Sequence, residues 1–181
     1  MPDRYALHEM GRADLPMLAD WLATPHAVAW WGDPAEQLAL VTEDLDEPLM
    51  DQRIACLGAR PFGYLQSYPA HAWPAGAPHL ADFPVGTVAV DCFVGPVDML
   101  GRGHGSAMLR LYADHLIGRG AQEVVIDPDP ENERAVRAYR RAGFQDVALR
   151  PDCDGDMTLV MRYPRLSSVR KESGVAGRRL A

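Results

Sequence analysis

Met99-Leu100-Gly101-Arg102-Gly103-His104-Gly105-Ser106 is the stretch on which the reading of this chain turns. Three glycines on alternate residues stand between a strand-like run, Thr87 to Val94, and a helix-like run with Met108, Leu109, Tyr112, Leu116 and Ile117 on one face. Glycine lacks the Cβ that would hold a ligand off the backbone and it accepts φ > 0, so successive N–H groups can turn toward one anion. The helix adds its unpaired first-turn N–H groups and the positive end of its dipole. Such a loop suits a pyrophosphate without any lysine. A plain tight turn has the same composition, so support must come from elsewhere in the chain.

Two well-known phosphate loops fit less well. A P-loop requires Gly-Lys-Ser/Thr, and no lysine is present in this stretch. The dinucleotide fingerprint would start at Gly101 and Gly103 but meets Ser106 at its third glycine, although Asp127 lies about where a ribose-binding acid would be. A doubly wound fold also needs several further βα units, and the rest of the chain offers one more helix and some strands.

Thirty residues on comes Asn132-Glu133-Arg134-Ala135-Val136-Arg137-Ala138-Tyr139-Arg140-Arg141-Ala142-Gly143-Phe144. With the glycine loop, it resembles the GNAT superfamily of acetyl-CoA-dependent N-acetyltransferases, in which a Q/R-x-x-G-x-G/A loop precedes a helix reading N-x-x-A-x-x-x-Y-x-x-x-G-F. Gly103, Gly105, Asn132, Ala135, Tyr139, Gly143 and Phe144 match, and Leu100 departs from the usual Gln or Arg. The resemblance implies an α/β (α+β) fold: a central mixed, mostly antiparallel sheet, flanked by helices and splayed around an acetyl-CoA site. The cofactor-binding residues it implies are Phe93, Val94, Leu100, Gly101, Arg102, Gly103, His104, Gly105, Ser106, Asn132, Ala135 and Tyr139.

The 181 residues make one domain of ordinary size, 48% apolar and 24% charged. No apolar run reaches the roughly 18 residues of a membrane span, and no signal peptide opens the chain, so a cytoplasmic place is expected. Cys56, Cys92 and Cys153 form no C-x-x-C pair, which suits a reducing compartment, and the histidines show no metal-ligand spacing. Net charge is −7, unevenly spread: residues 1–100 carry fourteen acids and four bases, residues 101–181 eleven acids and fourteen bases. The basic half suits a polyphosphate and the acidic half a cation, and nucleic acid is not expected as a partner.

Along the chain, Tyr5 to Met10 reads as a strand. Asp14 can cap a helix carrying Leu15, Leu18, Trp21 and Leu22, which Thr24-Pro25 breaks. Asp33-Pro34 opens another helix, after the aromatic segment His26 to Pro34. Ile54 to Ala59 and Phe62 to Tyr68 read as a hairpin turning at Arg60-Pro61, and Pro69 to Pro84, with four prolines, as a long binding loop or lid. Asp129 and Pro130 read as cap and first residue of the signature helix, which Gly143 ends. Phe144 to Leu149 and Met157 to Tyr163 close the chain as a hairpin. The expected domain is 1–164, followed by a basic, mobile tail, 165–181.

Within the superfamily the chain is most similar to the aminoglycoside 6′-N-acetyltransferases. His26-x-Val28-x-Trp30-Trp31-Gly32 resembles their H-x-V-x-W-W-G, Gly63 to Tyr68 their G-Y-x-Q-S-Y, the glycine loop their L-G-K-G-L-G, and Asp127 to Asn132 their D-P-x-P-x-N. Siderophore N-acyltransferases share the paired aromatics and the loop and remain an alternative, as does a non-catalytic acyl-CoA sensor. The expected acceptor is a polycationic aminoglycoside, met by Trp30, Trp31, Tyr64, Gln66, Asp91 and Asp127, on a monomer or homodimer without metal or membrane.

Trp30-Trp31 fits core packing as well as a platform for a sugar ring. Asp91 interrupts an apolar strand, as an outward acid or as the base that helps an ammonium lose its proton; the resemblance favours the base. Asp127 reads as an anchor for the acceptor or as a turn-forming residue before Pro128. Tyr139 could protonate a departing thiolate or simply pack its helix. The expected chemistry is direct transfer in a ternary complex, with backbone N–H groups near Phe93 and Val94 facing the oxyanion, Asp91 as base and Tyr139 as acid.

Overall fold

The computed structural model describes residues 5–164, so the expected basic tail lies outside the described residues. Seven strands form one sheet in the order β1-β2-β3-β4-β5-β7-β6. β1 (Tyr5–Glu9), β2 (Asp51–Leu57), β3 (Arg60–Pro69) and β4 (Val88–Val94) are successively antiparallel. β5 (Glu123–Ile126) runs parallel to β4, and β7 (Met157–Pro164) lies antiparallel between β5 and β6 (Gln145–Pro151). Helices α1 (Leu15–Leu22), α2 (Pro25–Trp31) and α3 (Pro34–Asp44) fall between β1 and β2. The longest helix, α4 (His104–Gly118), links β4 to β5, and α5 (Glu133–Ala142) links β5 to β6. None of these helices is long and apolar enough to cross a membrane.

The succession of strands along the chain is the one expected from sequence, with one helix more. Thr24 is extended at ψ 144° and Pro25 is the first residue of α2, so the proline that stops α1 also starts a second helix through the aromatic segment. The β2–β3 turn sits at Gly58, whose φ of +60° a glycine takes at little cost, and Arg60-Pro61 belongs to β3 instead. Asp33 caps α3, its Oδ1 accepting from the N–H groups of Ala35 and Glu36. Asn132, not Asp129, caps α5: its Oδ1 accepts from Ala135 N at 3.1 Å, while Asp129 makes a local turn with Glu131 N.

Apolar side chains are buried on both faces of the sheet. On β4, Val90 and Cys92 join a core built with Met108, Leu109 and Tyr112 of α4, whereas Phe93 joins the core beneath α1–α3 with Leu18, Trp21 and Tyr64. Each such large side chain contributes about 1.5–3 kcal/mol by leaving water. The period-two alternation of β4 therefore puts Asp91 on the face of Phe93, away from α4.

The register of β4 and β5 makes the site. They pair only at Val88↔Val124 and Ala89↔Val125, after which β4 continues to Val94 without β5 beside it. The sheet opens there, and through the notch its two faces communicate. The proline-rich segment after β3 is packed down instead of free: Leu80, in a short turn Pro78–Leu80, is fully buried among Ala70, Ala89, Val125 and Val160.

Candidate active site

The glycine loop leads from β4 into the first turn of α4 and lines a cavity of about 350 Å³. Gly101 and Gly103 have φ of +74° and +85°, and a Cβ on either would meet nothing within 4 Å. The first bond into the α4 ladder is Ala107 N to Gly103 O, so the N–H groups of His104, Gly105 and Ser106 precede the helix's own pairing. Ser106 Oγ is buried in this wall with no hydrogen-bond partner among the described residues. Unpaired donors around an open concavity fit a pyrophosphate.

Leu100, Gly101, Gly103, Gly105, Ser106, Phe93, Val94, Asn132, Ala135 and Tyr139, expected from sequence at the cofactor, all line this one cavity. Two of the expected residues do not. Arg102 is exposed on the outside of the loop. The side chain of His104 is taken by β1, with Nδ1 2.8 Å from the Tyr5 hydroxyl and the ring 5.6 Å from that of Phe62, which leaves only its backbone for a ligand. Sequence reasoning missed Arg134, Arg137 and Arg141, which border the cavity from one face of α5 at i, i+3 and i+7. That spacing and the basic excess of the second half were the available signal. It also missed His26, whose Nε2 lies 2.7 Å from Val94 O and ties α2 to the open end of β4.

Through the notch lies a second cavity of about 330 Å³ with Asp91, Asp127, Gln66 and Gln37 in its wall, and beyond it a third of about 310 Å³ with Asp44, Tyr68 and Trp73. Asp91 and Gln66 border both. Trp30, Trp31, Cys92 and Asn132 border both the loop cavity and the second one, which marks where the two halves of the site meet. The paired tryptophans divide the roles the sequence left open. Trp31 packs on Phe93 and Tyr64 with centroids 4.9 and 5.9 Å apart, whereas Trp30 is 47% exposed.

Tyr64, expected to meet substrate, is fully buried because its ring faces the core beneath α2. It acts one step back: its hydroxyl donates to Gln66 Oε1 at 2.6 Å, and Gln66 Nε2 donates to Asp91 Oδ2 at 2.9 Å. Burial, and then the charge of Asp127, pushes the Asp91 carboxyl up to about 7 against the Gln66 hydrogen bond, which lowers it. Burial also pushes the Cys92 thiol up to about 12, which opposes its use as a nucleophile. Burial holds the Tyr139 phenol well above its ordinary range. Cys92 Sγ lies 3.9 Å from the Tyr139 oxygen, and its thiol is placed to donate there, which leaves the phenol's own proton for another acceptor.

A loop of unpaired donors on one side of an opened sheet, with a carboxyl poised near neutrality on the other, defines a two-substrate transferase. The family profile described as the GNAT acetyltransferase domain matches residues 11–150, and the chain belongs to that family, whose members take an acetyl group from acetyl-CoA. It is 33% identical over 151 residues to the aminoglycoside N(6′)-acetyltransferase type 1 of Klebsiella pneumoniae, covering 79% of this chain and 75% of that one. The solved structure of AAC(6′)-Ib with paromomycin and acetyl-CoA superposes at a TM-score of 0.82 and 29% identity, over 95% of this chain and 99% of that one. Another, of AAC(6′)-Ib with coenzyme A and kanamycin, gives 0.80 at 29% identity, over 90% and 95%. The protein is an N-acetyltransferase that resembles the aminoglycoside 6′-N-acetyltransferases.

Proposed function

We propose that this enzyme acetylates a primary amine of a polycationic aminoglycoside by direct transfer from acetyl-CoA, with Asp91 as base, Tyr139 as acid and Asp127 as anchor for the acceptor. The observation that carries the reading is Asp91. It borders both acceptor cavities, and its carboxyl sits at about 7, where a base is half available at neutral pH. The relatives with bound paromomycin or kanamycin support the choice of acceptor. So do the carboxylates of Asp44, Asp91 and Asp127 along two joined cavities, with Trp30 and Trp73 as aromatic surfaces.

The backbone N–H groups of Gly103 to Ser106 and the open end of β4 would hold the acetyl-CoA, Arg134, Arg137 and Arg141 facing its phosphates. When bound, acetyl-CoA supplies a thioester carbonyl as electrophile. On the protein's side, Asp127 and Trp30 orient the acceptor, and Asp91 Oδ takes the proton an ammonium must shed before its amine can attack. The second proton, lost from nitrogen as the adduct collapses, offsets the one that Tyr139 gives to sulfur. The backbone N–H of Val94, on the edge of β4 that β5 leaves open, would face the developing oxyanion, while that of Phe93 points the other way into the β3 ladder and is not available. Tyr139 gives its proton to the departing sulfur. Trp31, Phe93 and Tyr64 pack against one another beneath α2, next to the strand that carries Asp91. The enzyme would work in the cytoplasm as a monomer or homodimer, without nucleic acid.

Thiol release from acetyl-CoA is the test, run with kanamycin, tobramycin and N6-hydroxylysine as acceptors. Turnover of the aminoglycosides is expected. Acetylation of hydroxylysine with no reaction of either aminoglycoside would move the enzyme to the siderophore group and leave its fold and family untouched.

A further inference from the structure

Asp127 stands at the end of β5, held by two distant parts of the chain. Thr158 Oγ1 of β7 donates to its carbonyl at 2.5 Å, which fixes the backbone. His79, in the Pro78–Leu80 turn, brings Nε2 to 2.6 Å from Asp127 Oδ2. The imidazole is 5% exposed and the carboxylate 20%, and the second cavity is lined by Asp127 but not by His79. The ring thus stands behind the carboxylate, on the side away from an acceptor. Its other nitrogen, Nδ1, is buried with no hydrogen-bond partner among the described residues. A proton on Nδ1 would find no acceptor, so the ring proton belongs on Nε2, donated to Oδ2.

The turn that carries His79 is itself anchored. Arg150 Nη1 donates to the His79 carbonyl at 2.6 Å and also pairs with Asp82, and the neighbouring Leu80 is fully buried. Asp91 and Asp127 repel each other, the charge of Asp127 being the second cause of the rise at Asp91. Left alone, Asp127 would be free to turn its carboxylate toward water, since the terminal torsion of an aspartate is broad.

We propose that His79 is the positioning residue of the acceptor half of the site: by fixing Oδ2 of Asp127 it keeps Oδ1 turned into the cavity and sets where an acceptor ammonium is held relative to Asp91. This rests on the reading of Asp127 as the acceptor's anchor. The proline-rich segment then acts as the rigid carrier of one hydrogen-bond donor for the substrate side. Nothing in the sequence spacing announces the pair, because the two residues lie 48 apart.

Steady-state constants for kanamycin and acetyl-CoA are compared among wild type, His79→Phe, His79→Gln, Asp127→Asn and the double variant His79→Phe/Asp127→Asn. His79→Phe should raise the kanamycin KM about tenfold or more, the scale of a lost hydrogen bond to a charge, with kcat and the acetyl-CoA KM within about twofold. His79→Gln can extend an amide N–H to the same oxygen and should stay within about threefold of wild type. In the Asp127→Asn background, His79→Phe should add no further rise. An unchanged kanamycin KM in His79→Phe overturns the proposal, as does a His79→Gln enzyme as impaired as His79→Phe, or a full effect persisting without Asp127. Should His79→Phe fail to fold, His79→Asn replaces it: the shorter amide stops short of Oδ2 and is expected to behave like the loss, against the rescue by His79→Gln. A wild type that does not acetylate kanamycin counts against the aminoglycoside reading alone, and the same ratios are then read on N6-hydroxylysine or spermine, whichever it does acetylate.

Discussion

Asp91 shows at the residue scale how one position can serve chemistry at the expense of stability. Its carboxyl titrates near 7 in the fold, against about 4 in an unfolded chain. As base it must be ionised, so kcat/KM should rise with pH through about 7 in the wild type. Asp91→Asn should lose that limb and lower kcat by the ~10²–10⁴-fold of a lost general base. The same shift has a stability consequence of definite sign. Between about 4 and 7 the folded state binds more protons than the unfolded one, so Tm should fall as pH rises across that window. Asp91→Asn should flatten the fall and melt above the wild type at pH 8 in calorimetry; parallel Tm curves for the two would exclude a raised carboxyl at this site. Tyr139, kept protonated by burial, has its proton available at any working pH. Tyr139→Phe should lower kcat ~10²–10⁴-fold with little change in either KM, and a variant with wild-type kcat would return Tyr139 to simple packing. The resemblance to the family's G-Y-x-Q-S-Y strand implied that both Tyr64 and Gln66 meet the substrate. Period two puts them on one face, but only packing beneath α2 decides that Gln66 reaches the cavity and Tyr64 stops at Gln66.

At the scale of elements, the β4–α4 connection is where backbone shape does the binding. Gly103 combines φ of +85° with open space beside it, so a side chain there would both strain the loop and fill the space a pyrophosphate needs. Gly103→Val should abolish acetyl-CoA binding in titration calorimetry while the far-ultraviolet circular dichroism stays that of the folded protein; retained affinity would remove the loop from the cofactor site. Gly95, just before the loop, has a different reason to be glycine. A Cβ there would come within 2.1 Å of the Trp21 ring of α1, which is itself buried. Gly95→Ala should therefore destabilise by about 1–3 kcal/mol, from displacing a packed indole at the exit of β4. Denaturant melts would report it, and a neutral result would mean α1 can slide. The extra helix α2 belongs to this scale too: its helical stripe is only Ala27 and Trp31, too short to stand out in the sequence, and it is a helix because Pro25 starts it and those two residues pack into the core beneath it.

For the molecule as a whole, charge is segregated along the chain and again in space. The acids that border the acceptor cavities, Asp44, Asp91 and Asp127, converge from α3, β4 and the end of β5, while the arginines of α5 border the loop cavity. A polycationic acceptor should feel several screened carboxylates at once. Its KM should rise with salt, as the Debye length contracts from ~10 Å at 0.1 M to ~3 Å at 1 M. A salt-independent kanamycin KM between those limits would mean that shape, not charge, selects the acceptor.

The sequence by itself determined the order of the strands along the chain and the glycine loop, because these depend on periodicity and on residues whose backbone chemistry is local, and the loop and signature helix together pointed to the family by resemblance. It also singled out Asp91, Asp127 and Tyr139 as candidates, since a carboxylate within an apolar strand and a tyrosine in a matched helix are visible one residue at a time. Only the tertiary structure decided that β4 and β5 part after two pairs and open the notch, that Asn132 and not Asp129 caps α5, and that His104 turns to Tyr5. The same holds for the partners of the acids: Gln66 reaches Asp91 across a strand pair, and His79 reaches Asp127 from a loop that its own sequence leaves without a direction. Local pattern fixes which face a side chain takes, but which atom it meets depends on chain segments far away in sequence. The energy of that meeting is set by burial, and burial exists only once the whole sheet has been covered.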